Sequence, residues 1–219
     1  MIKQSIQSKG IWATLLSVAR LPFLFVIYLY YRLKSHDFKI CDTKFNYSYA
    51  FLYNRTWESE RAVEIPIIKK IVELNRGKRI LEVGNVLSHY MKVNHDVVDL
   101  YEKAHGVINQ DIINYKSENK YDLIISISTI EHIDKVEEAL DNMKKLTDGD
   151  ILVTFPVGVS HTLDNLVNGF SEVFCLRRRR KGYNWVQTNW QDIKNLQYGV
   201  PYPNANGLVI GIIRKANVN

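Results

Sequence analysis

The sequence predicts an α/β domain: a doubly wound, seven-stranded, mostly parallel sheet with an N-terminal hydrophobic helix. Three observations predict it. Continuous β-branched runs alternate with helical stretches, as in a sheet covered on both faces. One such run, Arg79-Ile-Leu-Glu-Val-Gly-Asn85, ends in an acid, a glycine and a tight turn. Acids also close the next two strands, so Glu82, Asp99 and Asp111 mark three successive strand ends on one edge of the sheet. In open α/β sheets ligands bind at that edge.

The chain begins with an apolar, basic segment, residues 1–37, ahead of the domain proper, 38–219. Gly10 to Leu33 is strongly apolar, and its uncharged core Leu21–Tyr31 is bracketed by Arg20 and Arg32. That core is too short for a bilayer, which takes about 20 residues. Extending it to Gly10 reaches spanning length but takes in Arg20 and Pro22. Aromatics and flanking cations suit a membrane interface. The favoured reading is a monotopic or re-entrant anchor through residues 10–33. A cleaved signal peptide is disfavoured, because no small-residue cleavage site follows the apolar run. A helix packed on the domain or in a dimer interface is the alternative.

Residues 35–57 read as irregular and aromatic-rich. Glu58–Leu74 reads as a helix with an apolar side from Ala62 to Leu74, with Pro66 a point of kinking and Gly77 a C-cap. Strands follow at Arg79–Val83, Asp96–Leu100, about Gly106–Asn109 and Tyr121–Ser128. A helix over about Asp134–Leu146 and a turn at Asp148-Gly149-Asp150 lead to a fifth strand, Ile151–Phe155. Strands six and seven cover about Ser171–Arg177 and Gly207–Arg214. The seventh lacks a long helix before it, which allows an antiparallel strand at one edge.

Composition narrows the function. The net charge of +6 resides mainly in residues 1–40, where Lys3, Lys9, Arg20, Arg32, Lys34 and Lys39 face only Asp37. The rest is nearly balanced, so no broad nucleic-acid face is expected. The run Arg177-Arg-Arg-Arg-Lys181 is either a contact for phosphates or an anionic surface, or a solvated strand end. Cys41 and Cys175 form no C-x-x-C pair. That predicts no disulfide framework, no metal site and a reducing, cytoplasmic setting.

Glu82 is a carboxylate inside an apolar strand, costly unless paired or used. Gly84 permits a sharp turn and close ligand approach. Asp99 suits ribose hydroxyls, or a turn or helix cap. Asp111 suits an adenine amine, or a turn. The loop Asn85-Val-Leu-Ser-His-Tyr90 lacks the G-x-G-x-x-G and P-loop patterns. Acids with few cations suit a ligand with ribose and adenine but no phosphate. S-adenosylmethionine fits this better than nicotinamide or triphosphate cofactors.

The order ILEVG, VVDLYEK, GVINQDI, YDLIISISTIEHI, DGDILVTFPVG resembles the Rossmann-like (class I) S-adenosylmethionine-dependent methyltransferases over about residues 58–160. Ser128–Ile133 looks like their "EH" segment. NRTWESERAVEIP, ILEVGNVLSHY and YGVPYPNANGLVIGII look like a prokaryotic branch of that family. The resemblance implies S-adenosyl-L-methionine as cofactor. Glu82, Gly84 and Asn85 would border its amino acid end, Asp99 the ribose, Asp111 and Ile112 the adenine, and Ser128 and Thr129 the floor near the methyl group. Two departures stand out: the family's glycine-rich loop keeps only Gly84, and Val86–Asn94 leaves room for only a short first helix.

Candidate catalytic residues are His132 and Glu131, just after strand four, and His161, beside Ser160 after strand five; His89 is weaker. Histidine titrates in the range a base needs, though His132 also reads as an ordinary helix-start residue. Asn54–Arg61 either shapes the acceptor site or is a helix start capped by Thr56 or Ser59. The expected function is methyl transfer to a small-molecule or lipid-linked glycan acceptor, at a hydroxyl, on the inner face of the cell membrane. The alternatives are a degenerate methyltransferase-fold scaffold at the membrane and a nucleotide-dependent oxidoreductase, the latter opposed by the missing glycine fingerprint.

Overall fold

The computed structural model describes residues 21–34, 37–51, 53–180 and 183–215. Helix α1 (Leu21–Leu33) precedes a hairpin, β1 (Asp37–Ile40) and β2 (Thr43–Asn46). A 3-10 turn, Thr56–Glu58, leads into α2 (Arg61–Leu74). Then come β3 (Ile80–Val83), β4 (Asp96–Val98), β5 (Val107–Ile108), β6 (Tyr121–Ile127), α3 (Val136–Leu146) and β7 (Thr147–Pro156). The short helix α4 (His161–Asn165), β8 (Glu172–Arg180), β9 (Tyr183–Thr188), a further short helix and β10 (Gly207–Ile213) complete it.

The main sheet has eight strands in the order β5-β4-β3-β6-β7-β10-β8-β9. Its first five are mutually parallel, and β10 runs antiparallel to both β7 and β8. The parallel core matches the expectation, and three features correct it. The seventh expected strand, β10, is antiparallel but interior, and the antiparallel strand at the edge is β9. The eighth strand, β9, pairs with β8, so the basic run lies within a strand: Arg177 faces Val186 and Arg178 faces Trp185. The 35–57 stretch is not wholly irregular, because Phe38 pairs with Phe45 in the β1–β2 hairpin and their rings stack at 5.4 Å.

Period-two alternation splits the sheet residues between two cores. On one face Ile80, Leu123, Ile125, Ile127 and Leu152 pack under α2 and the hairpin, against Ile65, Ile68, Phe38 and Tyr47. On the other, Leu81, Val83, Ile124, Ile151 and Val153 pack under α3, against Val136, Ala139, Leu140 and Met143. Between β3 and β4 the chain makes only a 3-10 turn, Leu87–His89. Leu87 in that turn is fully buried and belongs to the core under α2.

Helix α2 begins at Arg61, later than expected, and runs through Pro66. Proline removes the hydrogen bond that the carbonyl four residues earlier would receive. That carbonyl, Ala62 O, instead accepts from Ser48 N–H at 2.9 Å. Thr56 does not cap the helix: its hydroxyl accepts from Ala50 N and donates to Ser48 O, both at 2.7 Å. The C-cap is Asn75 rather than Gly77.

Helix α1 docks by one side, with Phe25 and Tyr28 packed on Phe51 and Tyr28 also on Trp57, at centroid distances of 5.4–5.7 Å. Leu21, Phe23, Val26 and Leu33 point outward and are exposed. Among the described residues no helix is long and apolar enough to cross a membrane. The part of the apolar stretch before Leu21 lies outside the described residues.

Candidate active site

The carboxyl ends of β3, β4, β5 and β6 border a cavity of about 680 Å³. Gly84, Asn85, Asp99, Asp111, Ile112, Ser128 and Thr129, all expected on one sheet edge, line it together. His132 joins them at the rim.

The turn after β3 is built around two carboxylates. Glu82 is fully buried. Its Oε1 accepts from the backbone N–H of Val86 and Leu87 at 2.9 and 2.8 Å, and its Oε2 meets His95 Nε2 at 2.8 Å. Both its oxygens are engaged, Oε1 by the turn and Oε2 by His95, as a buried charge requires. Glu82 therefore does not line the cavity, contrary to its expected place beside the ligand; side-chain alternation turns it to the α2 face, away from the opening. Gly84 has φ +87°, and a Cβ there would lie 2.2 Å from Thr129 Oγ1. Its glycine identity is thus required twice, by conformation and by contact with the floor of the cavity.

Asp99 binds the loop after β4 to the turn after β3. Its Oδ2 accepts from Asn85 N at 2.9 Å, and its Oδ1 from Tyr101 N and Glu102 N at 2.8 and 2.7 Å. Asn85 is buried, with its Oδ1 taken by Ser88 Oγ at 2.6 Å. Its Nδ2 has no hydrogen-bond partner among the described residues. Asp111 Oδ1 accepts from Ile113 N at 3.0 Å, shaping the turn that presents Ile112.

The floor depends on a buried network that the sequence does not announce. Glu64 is fully buried; its Oε1 accepts from Ser128 Oγ and Thr154 Oγ1, both at 2.6 Å, and its Oε2 from Arg61 Nη1 at 2.9 Å. Arg61 also donates to Ile127 O at 3.0 Å and Ser128 O at 3.3 Å. This fixes Ser128 in a left-handed conformation, φ +35°. In sequence, Arg61 and Glu64 look like an ordinary i, i+3 surface pair on a helix. Only the packing of α2 across the ends of β6 and β7 makes them the support of the site. Tyr53 and Glu102 also line the cavity unannounced, joined through His89, whose ring stacks on Tyr53 at 3.8 Å and whose Nε2 lies 3.1 Å from Glu102 Oε1.

The three candidate catalytic residues separate. The His132 side chain is 71% exposed and lies where this cavity meets a second one. Glu131 lines only the second cavity. Its carboxyl is buried and pushed up to about 8, first by desolvation and then by Glu64 and Glu60, against the pull of Arg61. His161 lines neither cavity; it is the exposed first residue of α4, which corrects its expected place in the site. The loop after β7 reaches the right sheet edge, but α4 starts there and turns the ring to solvent. Among the described residues no group of three His, Cys, Asp or Glu could hold a metal ion.

No family model and no curated protein matches the sequence. Among solved structures the chain is similar to the N-methyltransferase NodS of Bradyrhizobium japonicum in complex with S-adenosyl-L-homocysteine, at 11% identity and TM-score 0.44, over 68% of this chain and 85% of that one. It is also similar to a magnesium protoporphyrin IX methyltransferase from Synechocystis with bound SAM, at 14% identity and TM-score 0.41, over 68% and 76%. A third is a methyltransferase of Bacillus halodurans described as putative, at 11% identity and TM-score 0.44, over 68% and 99%.

Proposed function

We propose that the chain is an S-adenosylmethionine-dependent methyltransferase. One observation carries this: the cavity at the carboxyl edge of the parallel strands is lined by Asp99, Glu102, Asp111 and Asp134, and its two permanent cations, Arg61 and Lys135, are already answered by Glu64 at 2.9 Å and Glu138 at 3.0 Å. Such a wall suits a cationic, phosphate-free ligand, and its volume is in the range for a cofactor of that size. The partnerless Asn85 Nδ2 offers a donor to the carboxylate at the ligand's amino acid end. Asp99 would hold the ribose, Asp111 and Ile112 the adenine, and Ser128 and Thr129 would bound the methyl end. When bound, the cofactor supplies an electrophilic methyl group. The protein's own residues bind it, orient it and keep water from its methyl end.

The finer reading is an acceptor hydroxyl on a small molecule or lipid-linked glycan, met at the inner face of the cell membrane. The outward apolar side of α1, followed by Arg32 and Lys34, supports contact with a bilayer surface. A scaffold reading has one observation in its favour: Asp99 already spends both oxygens on loop amides.

Calorimetric titration of the full-length protein decides between them. S-adenosylmethionine and S-adenosylhomocysteine are expected to bind, NAD is not, and Asp99→Asn is expected to weaken binding by about tenfold or more, the loss of a charge-assisted hydrogen bond. No binding of either sulfur ligand would remove the methyltransferase reading in favour of the scaffold.

A further inference from the structure

The second cavity, about 360 Å³, shares Arg61, Ser128 and His132 with the first. The rest of its wall includes Ser59, Glu60, Glu131 and Tyr198. Three polar atoms of this wall, Ser59 Oγ, Arg61 Nε and Glu131 Oε2, are buried without a hydrogen-bond partner among the described residues. Buried polar groups are nearly always paired, so three orphans in one wall indicate a missing polar ligand.

We propose that this cavity is the acceptor subsite, and that it takes a neutral, sugar-like polyol whose reacting hydroxyl bonds both Glu131 and Arg61. The inference rests on the methyl-transfer reading and names the substrate class for it. Donor and acceptor counting selects the class. Arg61 Nε–H needs an acceptor, and Glu131 in its ionised form needs a donor. An ammonium group has no lone pair for Arg61, and a neutral amine has one, which it needs to attack the methyl carbon. A hydroxyl has two lone pairs and a proton: one pair attacks, one accepts from Arg61, and the proton points at Glu131. Anionic acceptors are disfavoured, because Glu64 already neutralises Arg61 and the remaining groups, Glu60 and Glu131, are acids. A cavity of this volume holds a single sugar ring.

In the transfer the hydroxyl oxygen bonds the methyl carbon as the carbon–sulfur bond breaks and its electron pair stays on sulfur. The hydroxyl proton passes to the Glu131 carboxylate, leaving a neutral carboxyl. With Glu60, Glu64, Arg61, Tyr198 and His132 around it, Glu131 ionises at about 8, so it is a stronger base than an exposed carboxylate. The rate should climb with pH until that ionisation is complete.

The test uses full-length protein labelled with carbon-13 at its glutamate carboxyls, with Glu131→Gln assigning the resonance. Methyl α-glucopyranoside is expected to shift the Glu131 signal and lower its titration midpoint, whereas n-propylamine is not expected to compete. With labelled S-adenosylmethionine, methyl transfer to the glucoside is expected, and Glu131→Gln should slow it about a hundredfold or more while leaving S-adenosylhomocysteine affinity unchanged. If Glu131→Gln does not fold, Ser59→Ala and Tyr198→Ala test the same wall by loss of glucoside binding. A Glu131 signal that ignores the glucoside, or transfer only to the amine, overturns the proposal. A glucoside response in protein that ignores S-adenosylhomocysteine would keep the subsite and remove the methyl-transfer reading.

Discussion

Replacing Gly84 with alanine would put a methyl group where Thr129 already stands. At φ +87° the backbone is left-handed, which costs an L-residue about 1–2 kcal/mol. The new Cβ would meet Thr129 Oγ1, Cγ2 and Cβ at 2.2, 2.5 and 2.7 Å. Thr129 has little room to yield. It is β-branched, with few χ1 options, and its hydroxyl donates to Ile127 O at 3.1 Å. Overpacking of this kind adds about 1–3 kcal/mol, for a total of about 2–5 kcal/mol. At about 2–4 °C per kcal/mol for a chain of this size, the Tm should fall by about 4–20 °C. Calorimetric melts of the wild type, Gly84→Ala, Thr129→Ala and the double variant separate the two terms. Thr129→Ala removes Oγ1 and Cγ2 but keeps the Cβ at 2.7 Å, so the double variant should recover part of the steric share and none of the backbone share. The two changes should therefore couple by about 0.5–3 kcal/mol. Strictly additive losses, or a single variant that melts with the wild type, would refute the account of Gly84.

Three further outcomes are expected. Because burial raises the folded Glu131 carboxyl to about 8 from its ordinary 4.5, the folded state keeps a proton the unfolded state has lost between those values; this stabilisation is complete below the unfolded value and disappears as pH climbs through about 8. Thermal melts from pH 6 to 9 should therefore fall more steeply for the wild type than for Glu131→Gln. Glu64→Ala would leave Arg61, Ser128 and Thr154 without their shared partner, and urea unfolding should show a loss of about 3–5 kcal/mol. Changing the exposed Phe23, Val26 and Leu33 together to serine should abolish sedimentation with anionic vesicles without moving the Tm, since none of the three is buried in the fold; a fall in Tm would mean that this side of α1 is packed.

The sheet core was legible because its signal is local. Ile80–Val83 and Tyr121–Ile127 are apolar on both faces, as strands buried on both sides must be. Strand β9 was hidden, since Tyr183–Thr188 carries polar residues and follows a charged run, and only its pairing with β8 makes it a strand. The interior place of β10 was hidden for a related reason: strand order is a long-range property that no run of residues encodes. In the site, spacing brought seven of the expected residues to one cavity because they sit at strand ends. It misplaced Glu82, whose charge is legible in the sequence but is consumed by its own turn, and His161, whose exposure depends on where α4 begins. The Arg61–Glu64 network was out of reach, because its partners Ser128 and Thr154 come from two other strands.

The interior position of β10 bears on the order of assembly during synthesis. The parallel half of the sheet, through β7, can pair as soon as it has left the ribosome. The hairpin β8–β9 cannot join it then, because the strand that bridges it to β7 is Gly207–Ile213, made after both. Until β10 arrives, β7 and β8 each present an open edge of unpaired amides and carbonyls, the arrangement most prone to pairing with other chains. Stalling translation within the loop before β10 should therefore leave a chain with a folded parallel half and a protease-sensitive remainder.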